Sequence, residues 1–144
     1  MSILQRVQAD VTAARKSGDK QRVGALQLVL SELQKDAKEG KGDELAVLRR
    51  ERKRREESAE TYEQHDRPEL AVPERYEAGL ISAYLPQELG DDELRALVGD
   101  AIAETGATSP KDMGRVMQAV VAAAEGRADG KRVSGLVREA LQAL

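Results

Sequence analysis

"GATSPKDMGRVMQAVVAAAEGRADGKRV" (residues 106–133) contains one helix together with both of its ends. Met113, Val116, Met117, Val120, Val121 and Ala124 recur at the three- and four-residue spacing of an amphipathic helix. Ahead of them, Ser109 suits the N-cap and Pro110 the first helical position. Asp112 stands where a capping-box side chain reaches back. Behind them, Gly126 suits a left-handed helix end and Asp129 caps a further helix, with Gly130 in its first turn. That last helix carries Val133, Leu136, Val137, Ala140, Leu141 and Leu144 on one side.

Upstream, Leu94, Leu97, Val98, Ala101 and Ile102 form another stripe ended by Gly106, and "PQELGDDEL" (86–94) reads as a linker with Asp91 or Asp92 as the cap. Residues 87–144 are therefore expected to form a small three-helix unit. Residues 1–86 read as a helical N-terminal domain. Its first stripe is Ile3, Leu4, Val7, Val11 and Ala14, closed by Gly18, and its second, capped by Asp19, is Val23, Leu26, Val29, Leu30, Leu33 and Ala37. A third segment, capped by Asp43, starts apolar at Leu45, Val47 and Leu48 but has no apolar side chain from 49 to 58. A fourth carries Tyr76, Leu80, Ile81, Tyr84 and Leu85, with Pro68 and Pro73 placed at first-turn positions and Pro86 as a stop. The expected fold is all-α, with no strand.

Composition agrees. The 144 residues include no Phe, no Trp and three Tyr, so the core is built from Leu, Val, Ile, Ala and Met. Strands collect aromatic and β-branched residues, and this chain is poor in the former. A formal net charge of −3 gives no global attraction to nucleic acid or anionic lipid, so such contacts must come from local patches. Without cysteine there is no thiolate nucleophile and no Cys-based metal site. No run approaches the ~18 apolar residues of a membrane span, and the opening has no signal-peptide core. A soluble cytoplasmic protein without membrane contact is the expectation.

Catalytic chemistry finds no footing. His65 is the single histidine, and no HExxH-like spacing, serine elbow or Walker loop occurs. No catalytic residue, metal ligand or cofactor is assigned. Two stretches could instead meet a phosphate backbone. In "GRADGKRV" (126–133), Arg127, Gly130, Lys131 and Arg132 surround a helix start, and Lys111 and Arg115 could extend the patch. As structure alone, this is a tight helix–helix turn, for which Gly and Asp suffice. In "RRERKRREE" (49–57), six cations face three anions: an RNA rail, or a solvated helix laced by its own ion pairs. "SAYLP" (82–86) reads as core packing and a helix stop, or as a hinge fixed by the polar tip of Tyr84. Met113 and Met117 read as core.

"LISAYLPQEL" followed by "GATSPKDMG" and "GRADGKRVS" at this spacing resembles the YqeY family, and "SILQRVQADVTAARKSGDKQRVGALQLVLSEL" extends the likeness to the opening helices. That family is similar to the C-terminal tail of the B subunit of the glutamine-dependent aminoacyl-tRNA amidotransferase. The resemblance implies an all-helical, two-part protein. It also implies contact with tRNA or another structured RNA, in a role accessory to tRNA-dependent amide transfer. An amidotransferase or other protein is then a possible partner, which leaves a protein-interaction adaptor as an alternative. The family label implies a further one: a carbon–nitrogen ligase with glutamine as amido-N-donor.

Overall fold

The computed structural model describes residues 1–144 and is helical throughout. The helices are α1 (Ile3–Ser17), α2 (Lys20–Glu39), α3 (Glu44–Gln64), α4 (Pro68–Ser82), α5 (Asp91–Thr105), α6 (Met113–Ala124) and α7 (Gly130–Gln142), with a 3₁₀ turn at Pro110–Asp112. They form two compact units, Met1–Leu85 and Pro86–Leu144.

In the first unit, α1 and α2 form a hairpin around Gly18, whose φ of 74° ends α1 in the left-handed region. Asp19 then caps α2 through the Arg22 amide at 3.1 Å. Val7, Val11, Leu26, Val29, Leu33, Val47, Leu48, Ile81 and Tyr84 form the core. Burying each such side chain contributes roughly 1.5–3 kcal/mol. The start of α1 is finished from a distance: the Glu44 carboxylate, in the first turn of α3, accepts from the Ile3 amide at 3.2 Å and the Leu4 amide at 2.8 Å. These amides have no partner within their own helix.

Helix α3 is about 31 Å long at 1.5 Å per residue, and only its first turns supply Val47 and Leu48 to that core. The remainder pairs with α4, where the buried side chains Ala59, Ala71 and Ala78 are small enough to let two backbones approach. Arg55 to Glu77 at 2.9 Å and Arg75 to Glu63 at 2.8 Å cross between the two helices. Two expectations are corrected here. Pro68 does begin α4, but Pro73 lies inside it. Being exposed, Pro73 leaves the carbonyl it cannot serve to water. Nor is the charged stretch of α3 polar and solvated all round, because Glu51 is 3% exposed.

In the second unit, Leu94, Val98, Val116, Val120, Val133, Val137 and Leu141 make the core, with Met113 and Met117 packed against it. The Leu89 amide donates to the Arg127 carbonyl at 2.8 Å and Arg132 pairs with Asp91, so α5 and α7 start side by side. Helix α6 runs back between their ends. Ser109 caps the 3₁₀ turn, and Asp112 accepts from the Ser109 amide in a capping box, as the sequence suggests. The cap of α5 is a correction: it is Gly90, whose amide donates to Glu93 at 3.3 Å, while Asp91 and Asp92 lie in the first turn. A glycine has no side chain with which to signal that role.

Candidate nucleic-acid interface

The turn between α6 and α7 is built as its residues require. Glu125 (φ 48°) and Gly126 (φ 78°) both take left-handed conformations, which end α6. The Asp129 carboxylate accepts from the Arg132 amide at 2.8 Å, which starts α7 with Gly130 as its first residue. Two of the three cations here are held within the unit. Arg127 donates from Nε to the Gln87 carbonyl at 2.9 Å. Arg132 donates to Asp91 at 2.8 Å, and that bond holds the Asp91 carboxyl below its usual range. Lys131 is exposed and bonds to nothing. The two terminal amino groups of Arg127 are likewise unengaged, with the guanidinium steered by its single Nε bond.

Lys111 and Arg115 lie elsewhere. They stand at the start of α6, whose 12 residues, at 1.5 Å each, separate them from the 126–133 turn by about 18 Å. Arg115 bonds the Thr105 carbonyl at 3.0 Å and Asp112 at 2.6 Å. The Asp112 carboxyl is held low, first by the Thr108 amide and then by Arg115. Lys111 is exposed without a partner. Thus the six residues form two groups: Arg127, Gly130, Lys131 and Arg132 at one end of the three-helix unit, and Lys111 and Arg115 at the other.

The second stretch, on α3, converges inward. Around buried Glu51 stand Arg54 at 3.1 Å, Arg55 at 3.7 Å and Arg50 at 3.8 Å. Arg50 also reaches Glu32 of α2 at 3.8 Å, Arg52 bonds Ser82, and Lys53 lies 3.9 Å from Glu57. This is the ion-paired reading of the sequence, with a buried carboxylate at its centre. Tyr84 of "SAYLP" packs in the core of the first unit. Its hydroxyl donates to Asp10 and Arg6 lies 5.3 Å over its ring. Burial, then the Asp10 bond, pushes its phenol well above the ordinary range.

One group of cations escaped the sequence reading. Arg15, Lys16, Lys20 and Arg22 flank the α1–α2 turn, and none has a carboxylate partner. Four cations to one anion over residues 15–22 was the available signal, more lopsided than six to three on α3.

No helix is long and apolar enough to cross a membrane. A family model described as Yqey-like protein matches residues 4–141, nearly the whole chain. No curated protein matches it.

Proposed function

We propose that this chain, which belongs to the YqeY family, is a non-catalytic helical module that binds the phosphate backbone of tRNA or another structured RNA. Its role is accessory to tRNA-dependent amide transfer, and the α6–α7 turn is one contact. What supports this best is the chemistry of that turn. An exposed Lys131 stands beside the first residue of α7, and Arg127 is oriented by one hydrogen bond while two donor groups stay available. A fixed guanidinium with terminal amines to offer suits a phosphate oxygen. Asp129 and Asp91 stand nearby, so contact here is weak and salt-sensitive, in the range of non-specific RNA contacts.

The test is binding of bulk tRNA across a salt series, with a single-stranded RNA of the same length as control. Removing Arg127, Lys131 and Arg132 together would confuse binding with folding, because both arginines anchor the start of the unit. Lys131→Glu alone is clean. It is expected to weaken tRNA binding several-fold and to lower the log–log salt slope by about 1, with helicity unchanged. Equal binding by K131E would remove the turn as a site; no tRNA binding by the wild type at low salt would end the RNA reading.

A further inference from the structure

We infer that the α1–α2 turn, residues 15–22, is a second contact for an RNA sugar–phosphate backbone; the inference rests on the RNA-binding reading above. The chain carries a net charge of −3, yet these eight residues hold Arg15, Lys16, Lys20 and Arg22 against Asp19 alone. Asp19 is already engaged, capping α2 through the Arg22 amide. Elsewhere, arginines close to carboxylates pair with them: Arg54 with Glu51, Arg75 with Glu63, Arg115 with Asp112 and Arg132 with Asp91. At this turn no such pair forms.

Two turns of the chain share one construction. Asp19-Lys-Gln-Arg-Val and Asp129-Gly-Lys-Arg-Val both begin a helix with an aspartate whose side chain takes the amide of the arginine three residues on. In the second, a carboxylate of another helix takes the arginine side chain. In the first, nothing does. Arg15 and Lys16 have a structural reason for their place, since cations suit the negative end of α1. Lys20 and Arg22 have the opposite: they stand at the positive end of α2, whose first turn holds no acid. Arg22 is half-buried and acts on the Tyr84 phenol that donates to Asp10. Exposed Lys20, however, breaks the local rule with no compensating contact, which marks a place answering to something outside the fold.

The patch fits a polyanion without apolar help. The large exposed hydrophobic residues, Met1, Leu28, Leu70, Val72, Val121 and Leu144, all lie outside residues 15–22. The patch therefore has neither the apolar centre of a protein interface nor a wedge for lipid. Packed helices run about 8–10 Å apart, so cations on both sides of a two-residue connection can meet neighbouring phosphates of one backbone.

The experiment compares wild type, Lys131→Glu and Lys16→Gln/Lys20→Glu for tRNA binding across a salt series, with phosphatidylserine vesicles as a separate probe. The double variant changes two exposed, unpartnered side chains. It is expected to bind tRNA about tenfold more weakly at low salt, with a salt slope lower by about 2. Its thermal midpoint should be no lower than that of the wild type. Undiminished tRNA binding by K16Q/K20E, with K131E impaired, overturns this inference and leaves the α6–α7 contact standing. Wild-type protein that binds vesicles but not tRNA overturns both.

Discussion

Leu94→Ala is expected to destabilise the unit Pro86–Leu144 by about 2–5 kcal/mol, the range for truncating a fully buried leucine. Leu94 is 0% exposed and lies in the first turn of α5, where its amide also bonds the Gly90 carbonyl at 2.9 Å. The cavity would open among Val98, Val116, Val120, Val133 and Val137. Branched at the β-carbon, valines have little freedom to swing into the gap. A unit of this size holds only about 3–9 kcal/mol at the usual stability per residue, so the loss is a large share of the whole. Hydrogen exchange at the amides of Val116, Val120 and Val137 is the direct readout, and it should quicken by a factor of thirty or more at about 2 kcal/mol. Leu94→Met, which conserves volume, should cost less than about 1.5 kcal/mol. An L94A variant no weaker than L94M would mean that the core packs around something other than this side chain.

Arg55→Met should cost the first unit about 2–3 kcal/mol, below the 3–5 typical of breaking a buried pair because Arg54 still holds Glu51. Arg55 is shared, with Nε 2.9 Å from Glu77 and a terminal nitrogen 3.7 Å from Glu51. Its removal leaves Glu77 facing Glu74, one of whose carboxylate oxygens is buried without any partner. Burial already pushes the Glu77 carboxyl up, with Arg55 opposing and Glu74 adding to the rise. A carboxyl raised in the folded state holds its proton more tightly folded than unfolded. Stability therefore falls as pH rises through and above the ordinary value near 4.5. Losing Arg55 enlarges that effect. The deficit of the variant should thus be greatest at neutral pH and shrink below about pH 4.5. Urea midpoints of wild type and variant at both pH values decide it, and a deficit independent of pH would assign Arg55 to packing alone.

The fold could be read from sequence wherever the signal was local. Asp19, Asp43, Ser109 and Asp129 act as caps, and Gly18, Gly106 and Gly126 end helices, because each exerts its effect within four residues. Gly90 was missed because its box depends on an amide rather than a side chain. Charge was the harder matter. Arg127 and Arg132 are cations of one turn, but their partners Gln87 and Asp91 lie 40 and 41 residues away. Nothing in the local spacing reveals that two of three charges are engaged. The arginines of α3 left two readings open, a rail or ion pairs within the helix; the pairs are what form, three of the arginines converging on a glutamate of their own run. Counting cations locates a patch; only the pairing says how much of it faces outward.

The Glu44 carboxylate over the Ile3 and Leu4 amides also sets an order in time. A helix that completes its own ends can settle as soon as it is made. Helix α1 does so only in part: Ser2 and Gln5 form its own capping box, but the carboxylate that takes the Ile3 and Leu4 amides arrives 40 residues after Leu4. At synthesis rates of about 5–20 residues per second, that interval is roughly 2–8 s. For that time the Ile3 and Leu4 amides are left to water, and they gain their partner within the protein only once α3 begins.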